Sequence, residues 1–168
     1  MPSESARAAS ASEARFRIDA PNSRPRRIKV IALDRPGEAV VKSLAKREWH
    51  GANFLTVKQE TPRRGESFSV QGWLADLAGG TKDLVDEIAA ADQVVMVATA
   101  GENAEAASII GEAASLKRVM TTALVICPRR TSDEALSQTL ARLRPWSLML
   151  VVSEAEDYIA DMLTALRA

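Results

Sequence analysis

The chain is short of the residues that most chemistry requires. One cysteine and one histidine in 168 residues leave no structural zinc set to be built from Cys127 and His50. A lone cysteine also excludes a disulfide within the chain, which fits a reducing cytoplasm. Aromatics make up 4% of the residues, too few for a platform on which single-stranded nucleic acid would stack. Neither sign of charge is in excess: 22 Lys+Arg stand against 22 Asp+Glu. A general pull toward nucleic acid or an anionic membrane is therefore absent. No apolar run approaches the length of a membrane span. The eight glycines form neither G-x-G-x-x-G after the first strand nor G-x-x-x-x-G-K-[ST] anywhere. What remains is 46% hydrophobic content in a length that suits one domain with a full core.

Residues 1–26 are rich in Ala, Ser, Arg and Pro, without apolar periodicity, and read as a disordered tail. The tail has no apolar centre of the kind a secretory signal needs, and Glu4 and Glu13 argue against an organelle transit peptide. The cluster Arg24, Pro25, Arg26, Arg27 and Lys29 reads as a solvated flank; contact with phosphates or a partner is the alternative.

Residues 27–168 repeat one rhythm of apolar run, polar turn and amphipathic stretch. Five runs read as strands: Ile28–Leu33, Asn53–Val57, Val94–Ala98, Thr122–Cys127 and Leu148–Val152. Helices are expected over about Glu38–Trp49 and Thr81–Ala90, with Thr81 as N-cap, and from the turn after Gly101 to Leu116. Two more are expected from Thr131 or Ser132 to Leu143 and from Ser153 onward. Ser153 with Glu156 forms the capping-box pattern. Trp73–Leu77 reads as a short helical turn, and the polar stretch Glu60–Gly72, with Arg63 and Arg64, as a long loop. The alternation predicts an α/β domain: a three-layer Rossmann-like fold with a mostly parallel five-stranded sheet and helices on both faces.

The stretch Asp92–Glu112 (DQVVMVATAGENAEAASIIGE) organises the rest. A run apolar at every position belongs to a strand covered on both faces, and its carboxyl end opens a helix. With the default strand order 2-1-3-4-5, the order reverses between strands one and three, where ligands gather in such sheets. Two turns meet there, Asp34–Glu38 and Thr99–Asn103. The candidate ligand-binding residues are Asp34, Arg35 and Gly37, then Thr99, Gly101, Glu102 and Asn103, with Arg129 and Arg130 at the end of strand four. The helix start after Gly101 suits an anion, while Glu102 and Asp34 bring opposing charge that Arg35, Arg129 or Lys58 would have to offset. Ordinary capping is the plainer role for Glu102 and Asn103; Asp34 is the best-placed carboxylate for acid–base or metal work, with a turn-forming Asp before Arg-Pro-Gly as the plainer account. Cys127 reads as a buried structural thiol, and His50 as a residue near the last carbonyls of its helix.

The order of segments resembles the nucleotide-binding domain of the FtsZ/tubulin family. IKVIALDRPGEAVVKSLAKREWHGANFLTV is similar to that family's opening strand, turn, helix and second strand. DLVDEIAAADQVVMVATAGENAEAASIIGEAASLKRVMTTALVICPRR is similar to its later block around the phosphate loop, and RPWSLMLVVSEAEDYIADML to the strand and helix that follow. The departures fall on the turns. Asp34-Arg35-Pro36-Gly37 replaces a run of glycines, and Ala100–Ala106 keeps one glycine of the G-G-G-T-G-T-G loop and gains two carboxylates. What the resemblance implies is a degenerate nucleotide-binding domain without GTP hydrolysis or polymerisation. A generic Rossmann-like or flavodoxin-like domain is the alternative.

The function expected is that of a cytoplasmic binding or accessory protein without intrinsic catalysis, with a protein partner or a homodimer and no membrane or nucleic acid. Exposed Trp49, Trp73 or Trp146 would mark the association surface. No cofactor is assigned: a nucleotide is the one candidate the layout offers, and no metal is expected. The alternative function is a small-molecule or nucleotide-binding enzyme using the crevice between strands one and three.

Overall fold

A computed structural model describes residues 25–57, 73–76 and 80–168. The expected tail up to residue 24, Lys58 and the loop with Arg63 and Arg64 lie outside them. Among the described residues seven strands form one sheet: β1 (Ile28–Ala32), β2 (Ala52–Val57), β3 (Trp73–Asp76), β4 (Thr81–Asp83), β5 (Gln93–Thr99), β6 (Met120–Ile126) and β7 (Met149–Ser153). Five α-helices and a short 3-10 helix (Arg144–Trp146) accompany them in the described residues: α1 (Arg35–Leu44), α2 (Leu84–Ala89), α3 (Ala106–Lys117), α4 (Asp133–Leu143) and α5 (Glu156–Ala165). The sheet order is β4-β3-β2-β1-β5-β6-β7. β2, β1, β5, β6 and β7 run parallel, in the order expected for the five strands read from the sequence.

The strand count is seven, not five. β3 and β4 pair antiparallel with each other, and β3 pairs antiparallel with β2, adding a hairpin to one edge. Their runs, WLAD and TKD, are too short to show a period of two. Trp73–Asp76 is therefore strand where a helical turn was expected. Asp76 closes the hairpin: its carboxylate accepts from Gly80 N at 2.7 Å, and its own N–H donates to Gly80 O at 2.9 Å.

Strand parity sorts the core into two layers. Ile31, Leu33, Leu55, Val94, Met96, Ala98, Ala123 and Val125 meet α2, α3 and Leu143 of α4 on one face. Ile28, Val30, Ala32, Phe54, Val95, Val97 and Leu124 meet α1 and α5 on the other. All seven residues of β5 are buried, as a central strand covered on both faces requires.

Helix ends depart from expectation in instructive ways. α1 begins at Arg35, with Pro36 in its first turn, where proline's missing N–H costs nothing; the expected turn Asp34–Gly37 is thus a cap and a helix start. It ends at Leu44, and the Trp49 indole, not His50, donates to the Leu44 carbonyl at 2.8 Å. The α2 cap is Asp83, accepting from Asp86 N at 3.0 Å, not Thr81. α4 has its expected Ser132 cap. The N-cap of α5 is Ala155, without a side-chain bond; the Ser153 hydroxyl is engaged with the backbone of Ala155 instead. Trp49 and Trp146 are half-buried against the core, and Trp146 fits against Gly111 of α3 so closely that a Cβ there would lie 2.6 Å from its own.

Candidate functional site

β1 and β5 are neighbours that send their chains to opposite faces, so the order reversal falls between their carboxyl ends, as expected. Asp34 leaves β1 there, and Thr99 ends β5. Asp34 is 7% exposed and Thr99 5%, so neither is a surface residue. One carboxylate oxygen of Asp34 accepts from Gly37 N at 2.7 Å and from the Thr99 hydroxyl at 2.9 Å. The other accepts from Thr99 N at 2.6 Å. The carboxylate thus caps α1 and clamps the end of β5, and both oxygens point at donors of its own chain. Gly37 is held small by the same contact: an added Cβ would stand 3.0 Å from that carboxylate oxygen and 3.2 Å from Val97 O.

The turn that follows is similarly committed. Ala100 N donates to Ile126 O at 2.8 Å, Gly101 N to the Thr139 hydroxyl at 3.0 Å, and Glu102 N to Thr99 O at 3.0 Å. Gly101 has a φ of 90°, a conformation that glycine adopts without strain. Glu105 N is taken by the Asn103 side chain at 2.8 Å, an Asx turn. A cradle for phosphate needs several free N–H groups aimed at one point; this turn spends those of Ala100, Gly101, Glu102 and Glu105 on β6, α4 and itself. The Thr139 hydroxyl passes the bond on, donating to Ala135 O at 3.1 Å.

The predicted residues therefore separate. Asp34, Gly37 and Thr99 are brought together in a buried knot, with Gly101 and Glu102 tied to its flank. Arg35, Glu102, Asn103, Arg129 and Arg130 are exposed around it. Arg129 Nε lies 3.6 Å from Glu154 Oε2, both side chains well exposed, a pair worth little in water. Cys127 is half-buried and unpaired. Thr139 was not anticipated: a mid-helix threonine carries no sequence signal for a bond to a turn 38 residues away.

At the other end of the strands a groove of about 630 Å³ is lined by Trp49, His50, Thr164, Arg167 and Ala168 among others. His50 N donates there to Ala168 O at 3.3 Å. Among the described residues, no group of three or more His, Cys, Asp or Glu side chains is placed to hold a metal ion, and no helix is long and apolar enough to cross a membrane. A charged latch ties β1 to the approach of β5: Arg27 and Asp92 share a side-chain pair at 3.0 Å, and Arg27 N donates to the same carboxylate at 2.9 Å. The Arg27 side-chain hydrogen bond, then its backbone N–H, hold the Asp92 carboxyl below its ordinary value.

No family model matches the chain, and no curated protein does. Among solved structures it is similar to the apo-form of a flavoprotein from Lactobacillus acidophilus NCFM, at 8% identity over 82% of this chain and 99% of that one, with a TM-score of 0.48. The resemblance to the FtsZ/tubulin family is corrected by these comparisons, which return nothing in its support. The apolar patterning that carried it is common to parallel α/β domains, and the turn placed on the family's phosphate loop hydrogen-bonds to its own fold.

Proposed function

We propose that the protein is a binding or accessory module without catalysis of its own, its α/β body a scaffold and not a ligand-processing site. The observation that carries this reading is the Asp34 knot. The carboxylate best placed for acid–base or ribose contact accepts three hydrogen bonds from its own chain and is 7% exposed, which supports a structural role for it over one at a substrate. The Ala100, Gly101, Glu102 and Glu105 N–H groups beside it are likewise bonded within the fold.

Thermal unfolding against a panel of adenine, guanine, nicotinamide and flavin nucleotides, each with and without magnesium, tests it. A ligand selective for the folded state at about a hundred times its Kd adds about 2.7 kcal/mol, or about 5–10 °C in a chain of this size. The expected result is no shift across the panel. A concentration-dependent rise abolished by Asn103→Ala or Arg129→Ala overturns the reading and makes the rim of the knot a ligand site.

A further inference from the structure

The two edges of the sheet are built differently. β4 is three residues long and presents Lys82 and Asp83, the short charged edge that discourages pairing between molecules. Among the described residues β7 pairs with β6 alone, and it carries no charge, proline or glycine over MLVVS. Leu148, just before it, is 80% exposed, Val152 41% and Met149 40%. A bare apolar edge strand is a template for another strand.

The sequence around β7 says which strand. Ser147-Leu148-Met149-Leu150-Val151-Val152-Ser153 reads alike from both ends: five apolar residues centred on Leu150, with serine at each boundary. Antiparallel neighbours place directly opposed side chains on the same face of the sheet. Two copies crossing at Leu150 therefore set Leu148 against Val152 and Met149 against Val151, twice each, and Ser147 against Ser153. Charge follows the same two-fold. The chain before the strand bears exposed Arg142 and Arg144, and the chain after it exposed Glu154 and Asp157. Antiparallel pairing lays the basic end of one copy beside the acidic end of the other, whereas a parallel pairing would set like beside like. Glu154 and Asp157 already meet Arg129 and Arg47 at 3.6 and 3.4 Å, but both stay open to solvent and to a second arginine.

We infer that two copies of this chain associate edge to edge along β7, antiparallel about an axis through Leu150, joining the two seven-stranded sheets into one. The inference goes beyond the functional reading above and stands apart from it, since oligomeric state and ligand binding are read by different measurements.

Light scattering on the full chain across a dilution series should give twice the chain's 18.1 kDa, falling to the single mass on dilution. Leu148→Lys combined with Val152→Lys opposes like charges in this register and should give the monomer. Leu148→Lys combined with Val152→Glu opposes unlike charges and should restore the dimer. Both changes fall on exposed side chains, and circular dichroism checks that the fold is kept. A single mass for the natural chain at every concentration overturns the inference, as does a dimer indifferent to the Lys/Lys change. Should both double variants be monomeric or unfolded, hydrogen exchange of the natural chain decides. The Leu148 N–H already donates to Thr121 O, so the alternate amides of Met149 and Val151 report the edge: protection of these that grows with concentration upholds it, and unchanged protection overturns it.

Discussion

Replacing Asp34 separates a structural carboxylate from a functional one. In Asp34→Ala, three donors lose their acceptor at once: Gly37 N, Thr99 N and the Thr99 hydroxyl. Bonds to a charged acceptor contribute about 1.5–3 kcal/mol each, and a helix N-cap replaced by alanine costs about 0.5–2 kcal/mol. These terms overlap, so a total loss of about 3–5 kcal/mol is expected, visible as a fall of about 6–20 °C in Tm. Asp34→Asn keeps one accepting oxygen but turns an NH₂ group toward an N–H donor, and should lose about 1–3 kcal/mol. Thr99→Val removes one donor and leaves the carboxylate its two backbone bonds, a loss of about 1 kcal/mol. Urea unfolding at neutral pH, followed by circular dichroism, gives all three values from midpoints and slopes. Binding and catalytic residues are often held at a cost, so their removal stabilises. An Asp34→Ala protein equal to or more stable than the natural chain would refute the knot as a structural device, and with it the basis for a closed crevice.

Two further predictions follow from contacts away from the knot. Gly111→Ala gains up to about 1 kcal/mol in helix propensity, yet its Cβ would lie 2.6 Å from Trp146 Cβ and 2.8 Å from Cε3. The overpacking, about 1–3 kcal/mol, should prevail, and a raised Tm would contradict the contact. Asp92 titrates below its ordinary value of 3.8 in the folded chain. Its contribution is thus fully present above that value and is lost as pH falls through the depressed one. Asp92→Asn should lower the urea midpoint at pH 7 and converge with the natural chain in strong acid; a gap that persists or widens there reverses the sign.

The parallel body of the fold was legible because burial on both faces writes itself as uninterrupted apolar runs, and VVMVA in β5 is the clearest of them. The β3–β4 hairpin was not, since WLAD and TKD are shorter than any pattern that would distinguish strand from turn. Thr81 and Asp83 both belong to the capping alphabet, and pairing of Thr81 with Ala75 settled the helix start on Asp83. Ser153 and Glu156 matched the capping box in letters, but the helix begins three residues past the serine. At the candidate site the sequence showed which residues would lie near one another, Asp34 beside Thr99 above all. It did not show that they would bond to each other, because the partners are 65 residues apart. The tubulin-like resemblance failed for a related reason: it rested on the apolar runs, which report packing, while the turns that report chemistry had diverged.

The Thr99–Glu102 turn has a consequence for how the chain folds. Its long-range bonds reach three partners, Asp34, Ile126 and Thr139, so its shape depends on segments on both sides of it in the chain. A peptide spanning Asp92–Glu112 would carry the whole strand and helix start and none of those partners. Closing a long loop costs entropy before the contact repays it, so the turn acquires its geometry only as β1, β6 and α4 arrive. The buried Thr99 and Ala100 amides are expected to exchange slowly with solvent. The strand ends where parallel α/β sheets gather ligands are, in this chain, tied together across 65 residues of sequence.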